Sequence, residues 1–529
     1  MGRNLRETRA SHRAARIAGV RFTLAAGCFV IALHLTAGCA ATVRFPTAPL
    51  AVHPAETGLV KAYDTDGNKQ PDYFTTQDAA GRIVRIAYDL NADGQPDSFV
   101  DLDDIDVTQS RHVVFILDGI GYETIEAFQQ EGGLRLFHPP GRVMSTFPAM
   151  TDLALADVFQ SVRCSANEVV YFDHKVNRIV GGDADYLSLV NEDWAHCTDY
   201  RAATIVDPLA YLFPSHFFDQ EMGDFLKLFD QRDRPRLVAY FVSTAGFSTK
   251  ELLDGQLKIL RRIDQISEQL VWKTRGLVKI TVLSDHGHAL VRCKWIDFGK
   301  FLREKGWNVR DRLGGPRDVV PVEYGLVTYA SFAVRDRAAL AATLLENEGV
   351  DVVAYDDGAA VTVETADGKA LIERRGNRYR YRPVKGDPLQ LLPVIEKAKE
   401  GASASAPAVF DEEGFADDRD WLRMTFTHVY PDALDRLWRS YHGQTENVPD
   451  VIVSLKAGYS SGLASRAARF PEGASTHGDL ARKNSTAFVI STTCPIAPRW
   501  PYLRARDLPE VLSEVTGRPW PPPRKGNGQ

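Results

Sequence analysis

Unbroken apolar runs punctuate the middle of the chain, and each is followed by small or polar residues. "HVVFILDGIG" (112–121), "RLVAYFVSTAG" (236–246), "LVKITVLSDHG" (277–287), "VPDVIVSL" (448–455) and "STAFVIS" (485–491) show no alternation. That is the pattern of strands covered on both faces in a parallel sheet. Between the second and third runs, Leu253, Leu257, Leu260, Ile263, Ile266 and Leu270 recur at three- and four-residue steps, which predicts an amphipathic helix. The order strand–helix–strand predicts an α/β fold: a doubly wound, mostly parallel sheet with helices on both faces, its ligands at the carboxyl ends of the strands.

Two other patterns flank this core. "AYDTDGNKQPDYF" (62–74) and "AYDLNADGQPDSF" (87–99) align without a gap, so Asp64, Asp66, Asn68 and Asp72 match Asp89, Asn91, Asp93 and Asp97. Oxygen side chains at the first, third, fifth and ninth positions of a tight loop suit Ca²⁺. Thr75 and Val100 stand where an EF-hand needs Glu, so the repeat is a small Asp-rich module, either calcium loops or plain hairpin turns, forming a stalk. Nearly two hundred residues separate Asp285 from His477, more than the core requires. Alternating strands around Gly376-Asn377 predict a hairpin, and the whole insert predicts an α+β cap subdomain. Arg374, Arg375, Arg378, Arg380 and Arg382 give that hairpin a basic side, either solvated or facing an anionic substrate.

Composition narrows the class. The chain has 529 residues and a formal charge of −6, which argues against a nucleic-acid surface. Arg3, Arg6, Arg9, Arg13, Arg16 and Arg21 precede a short apolar run ending in "TAGC", the pattern of an export signal. "LTAGCA" resembles the lipobox of bacterial lipoproteins, which implies acylation of Cys39, a membrane tether and a periplasm-facing protein. Cys164, Cys197, Cys293 and Cys494 would then meet an oxidising compartment, where two disulfides are open to them in three pairings. The predicted division is signal 1–38, linker 39–58, repeat 59–106, core 108–300, cap 301–447, core 448–515 and Pro-rich tail 516–529.

The strand ends carry the candidate chemistry. Asp118 closes the first core run, and Asp285 and His286 close the third. Two carboxylates and an imidazole on one sheet edge need a cation between them, and oxygen with imidazole suits Zn²⁺ or Mn²⁺. "VVFILDGIG", "STFPAMTD", "VLSDHGH" and "STHGDLARKNS" stand in an order similar to that of the alkaline phosphatase superfamily, in particular its type I phosphodiesterase/nucleotide pyrophosphatase branch. The resemblance spans roughly residues 110 to 515. It implies a phosphoric ester hydrolase in which Asp118, Thr151, Asp285 and His286 hold one metal and Thr151 is both ligand and nucleophile. Ser145 and Thr146 are rival hydroxyls.

In that family a second metal takes an Asp and a His from a strand end together with the late His. Here Ser243 and Phe247 occupy the first two places and only His477 remains. Three readings follow. One is a one-metal enzyme, hydrolase or phosphotransferase to a lipid or glycan, with His477 and His288 assisting. Another is a displaced second metal that includes His288. The last is a phosphate-ligand-binding protein that has lost catalysis. The oligomeric state is open in all three.

Overall fold

The apolar run Arg111–Leu117 (β6, after the five strands of the N-terminal module) is buried along nearly its whole length, and its side chains divide between two cores. Val113, Phe115 and Leu117 pack with the helices Tyr122–Gln130 (α1), Pro214–Gln231 (α3) and Ser243–Lys273 (α4). Val114 and Ile116 pack instead with Leu155 and Val158 of the helix Thr151–Phe159 (α2) and with the C-terminal helix Leu508–Thr516. Helices therefore cover this strand from both sides, and the absence of alternation in the sequence follows from that. The computed structural model describes residues 45, 48–55, 58–400 and 408–524, so the signal segment, Cys39 and the last residues of the Pro-rich tail lie outside the described residues.

β6 sits in a six-stranded sheet beside Gly141–Met144 (β7), Arg236–Phe241 (β8), Val278–Leu283 (β9), Thr486–Ser491 (β10) and Leu503–Arg504 (β11), in the order β8-β6-β9-β10-β7-β11. β8 and β9 flank β6 in parallel. β10 is antiparallel to both neighbours, β9 and β7. The run "STAFVIS" thus belongs to this sheet but points the other way, because it enters from the late segment on the side where its neighbours end.

"VPDVIVSL" departs from expectation. Val451–Leu455 pairs antiparallel with Tyr329–Val334 and Val350–Asp356, inside a nine-stranded sheet built mainly from the insert. That strand is fully buried too, so an apolar run marks burial on two faces without saying which sheet supplies them. The predicted hairpin is present as Gly368–Arg375 against Arg378–Lys385, with Arg375 opposite Arg378. Four of its arginines face acids of the same insert: Arg375 pairs with Glu413, Arg378 with Asp411, and Arg380 and Arg382 with Glu373.

The Asp-rich repeat folds as an antiparallel meander of Ala51–Ala55 (β1), Gly58–Tyr63 (β2), Tyr73–Gln77 (β3), Ile83–Tyr88 (β4) and Ser98–Asp101 (β5). It is no free stalk. Phe45, Tyr63, Tyr73 and Tyr88 share one apolar core with α4, and the Tyr88 hydroxyl donates to the Trp272 carbonyl at 2.8 Å. Its loops close on their own amides: Asp64 accepts from the N–H groups of Gly67 and Lys69, and Asp89 from those of Ala92 and Gly94. Such side-chain turns fix the loops without a ligand. The carboxylates of Asp64, Asp66 and Asp72 also lie close enough together to hold a cation. Cys164, Cys197, Cys293 and Cys494 are all free thiols. Cys164, for one, is buried with its sulfur donating to the Asp152 carbonyl at 3.5 Å, so the expected disulfides are absent.

Candidate metal centre

Because β8, β6 and β9 run parallel side by side, their carboxyl ends open at one edge of the sheet. Asp118 follows β6 directly, and Asp285 and His286 come two and three residues after the end of β9. Thr151 opens α2, whose first-turn N–H groups and dipole favour an anion. All four are brought together. The Thr151 hydroxyl lies 3.4 Å from both Asp118 Oδ2 and His286 Nε2. The rival Thr146 hydroxyl is spent on the Pro148 carbonyl at 2.8 Å.

The hydrogen bonds decide what this cluster lacks. Asp118 Oδ2 accepts from the Tyr240 hydroxyl at 2.5 Å, while Oδ1 is buried with no donor. Asp285 Oδ1 accepts from the N–H groups of Gly119 and His286, while Oδ2 is buried with no donor. His286 Nδ1 lies 2.8 Å from the Gly287 carbonyl, and a carbonyl only accepts, so Nδ1 carries the hydrogen and Nε2 presents a lone pair. That lone pair stands 3.3 Å from Asp285 Oδ2 and 3.8 Å from Asp118 Oδ1. Three acceptors face one another, and the two carboxylate oxygens have no donor at all.

The electrostatics agree. Burial, and then the neighbouring Asp285 charge, push the Asp118 carboxyl well above the usual range, and burial raises Asp285 as well. Burial lowers His286 to about 4, so a proton on Nε2 does not relieve the repulsion near neutral pH. A divalent cation does relieve it, and two carboxylate oxygens with one imidazole nitrogen are a fitting donor set. Asp118, Asp285 and His286 could hold a metal ion.

Other expected residues lie near without joining the trio. The His477 ring stacks on His286 with 3.9 Å between centroids, and its Nδ1 donates to the Ala149 carbonyl at 2.8 Å. His288 is buried, and its Nδ1 accepts from the Leu290 N–H at 3.4 Å and faces Ser475 Oγ at 3.0 Å, which leaves the hydrogen on an unpartnered Nε2. In that tautomer His288 offers a donor and no ligand. Ser243 donates to the buried carboxylate of Glu221, and Phe247 packs edge-on against Phe218. Where a second metal would need an Asp and a His, this chain has a hydroxyl already bonded and a phenyl ring.

Gly287 has a packing duty. A Cβ there would stand 2.0 Å from the Lys483 carbonyl oxygen and 2.8 Å from that of Thr486. The bare backbone lets the Asp285–His288 turn press against the segment that leads into β10.

A cavity of about 220 Å³ opens beside Thr151, lined on one side by Asp152, Glu192, Trp194, Arg201, Asp207 and Tyr240. Except for the neighbours of Thr151, none of these carries a motif in the sequence. Tyr240 alone had a positional signal, near the carboxyl end of β8. Searches against family models and against curated proteins find no match for the chain.

Proposed function

We propose that the chain is a metal-dependent phosphoric ester hydrolase with Thr151 as nucleophile and one catalytic metal held by Asp118, Asp285 and His286. The observation that carries this reading is the convergence of two unpartnered carboxylate oxygens and an imidazole lone pair beside a threonine hydroxyl at the start of a helix. The order of motifs shared with the alkaline phosphatase superfamily supports it.

A divalent cation bound there supplies positive charge that favours a deprotonated hydroxyl and offsets charge on the phosphoryl oxygens. The chain's own residues do the rest. Thr151 Oγ1 attacks phosphorus as the ester's alcohol leaves, giving a phosphothreonine that water, entering through the cavity, then cleaves. Asp118 Oδ2 is the acceptor within reach of the Thr151 proton. Tyr240 and the backbone N–H groups of Gly119 and His286 fix the two carboxylates, and the α2 N-terminus faces the developing negative charge. The Ser243–Glu221 pair and the buried Phe247 favour one metal over two.

Export and a lipid tether at Cys39, calcium in the N-terminal loops, and transfer to an acceptor other than water remain readings of the sequence. Among the described residues no helix is long and apolar enough to cross a membrane. The test is release of p-nitrophenolate from p-nitrophenyl phosphate and bis(p-nitrophenyl) phosphate with added Zn²⁺ or Mn²⁺. Turnover that ignores chelation, or none on either ester despite bound metal, rejects the hydrolase.

A further inference from the structure

The cavity beside Thr151 has a chemical bias that concerns the other half of the ester. Asp207 is 2% exposed and lines that cavity. Its Oδ2 accepts from the Tyr186 hydroxyl at 2.8 Å and from Arg201 at 3.4 Å, but its Oδ1 is buried with no donor. Asn167, 6% exposed and lining the same space, likewise has an Oδ1 without a partner. Leaving such buried acceptors bare is costly, so the cavity is complete only with a ligand that donates.

The charges narrow that ligand further. Asp152, Glu168, Glu192 and Asp207 all line the cavity. Two of its three arginines already have partners. Arg201 pairs with both Glu192 and Asp207 and lies over the Trp194 ring. Arg466 lies over the Tyr324 ring, 4.3 Å from its centroid, and pairs with Asp183 at 3.6 Å. Arg469 is exposed. A single guanidinium thus serves two buried carboxylates, and burial raises Asp207 to about 6 against the pull of Arg201. A second anion in this space would be repelled. A cation would find a bare carboxylate oxygen, with Tyr186 and Tyr211 also in the lining.

We propose that this cavity receives the alcohol portion of the ester and that this alcohol bears an ammonium group, seated against Asp207. The chain's substrates are then phosphate esters of small amino alcohols, free or as part of a larger diester. The inference rests on Thr151 being the phosphoryl-accepting end of the same cavity.

The experiment compares two ligands of one shape, phosphoethanolamine and propyl phosphate, by calorimetry on the full-length Thr151→Ala chain loaded with Zn²⁺. Phosphoethanolamine is expected to bind at least tenfold more tightly, and Asp207→Asn in that background is expected to bring the ratio close to one. Equal or weaker binding of phosphoethanolamine, or no binding of either ligand, overturns the proposal. So does a preference that Asp207→Asn leaves unchanged. If Asp207→Asn does not fold, the ratio on the Thr151→Ala chain decides alone. The hydrolase reading is judged separately on the p-nitrophenyl esters. An ammonium preference without turnover overturns that reading and leaves the ammonium seat at Asp207 as a binding site alone.

Discussion

His286 Nε2 stands 3.3 Å from Asp285 Oδ2, lone pair against carboxylate, with no donor satisfying that oxygen. Two buried acceptors at that distance need a proton or a cation between them. The relationship makes the response to metal removal predictable.

With a chelator present, Asp118→Asn should melt no lower than the parent, because the amide is neutral without having to take up a proton against burial. On adding Zn²⁺ or Mn²⁺ at about a hundred times Kd, the parent should gain about 2.7 kcal/mol and the variant should gain little. Thermal melts with and without metal read both effects. A parent whose melting ignores every divalent ion would remove the basis for a metal centre.

Thr151→Ala should lower kcat on p-nitrophenyl esters at least a thousandfold while keeping metal uptake, since Asp118, Asp285 and His286 remain. Thr151→Ser should keep measurable turnover and trap phosphate covalently at position 151. Mass spectrometry after rapid acid quench checks this; label found on Ser145 or Thr146 instead would move the nucleophile.

Glu221 gives a pH signature remote from the metal trio. Burial lifts its carboxyl to about 8, with the Ser243 hydroxyl and N–H groups opposing. The folded state therefore holds this proton more tightly than the unfolded chain, whose glutamate titrates near about 4.3. The contribution is complete below that unfolded value and is lost as pH rises through about 8. Glu221→Gln removes the dependence, so its stability relative to the parent should climb by a few kcal/mol, in order of magnitude, between about pH 5 and 8. Urea midpoints across that range test it, and a difference that stays flat refutes the buried proton.

Arg504 joins the main sheet to the segment inserted before Val451–Leu455. It is 3% exposed and bonds Asp432 through Nε at 2.7 Å and Asp418 through a terminal nitrogen at 2.8 Å. Arg504→Ala strands two carboxylates and should cost about 3–5 kcal/mol. Adding Asp432→Asn should return part of that loss. Denaturant unfolding of the single and double variants measures the coupling, and purely additive losses would show that the pair is not a unit.

Much of the core was legible because burial on two faces leaves unbroken apolar runs. 112–117, 236–241, 278–283 and 486–491 are all strands of one sheet. The short strands β7 and β11 leave no such trace. Val451–Leu455 misled for a physical reason: a strand buried on both faces looks alike in either sheet. At the site, Asp118, Asp285 and His286 were readable from their places at strand ends, and Thr151 from a resembling motif. Asp207, Arg201 and Glu221 were not. Each sits on a helix or connection with no motif around it, and only the folded arrangement turns an ordinary surface-type residue into a buried one.

The missing side chain at Gly287 ties together regions that the insert holds almost two hundred positions apart. Its bare α-carbon admits the Lys483 and Thr486 carbonyls into van der Waals range, so the two halves of the core read each other at a spot no wider than a methyl group. Alanine there would wedge them apart and tilt the imidazole beside it. The geometry of the centre is thus inherited from how closely two backbones approach, and the size and sequence of the insert can drift while that approach is kept.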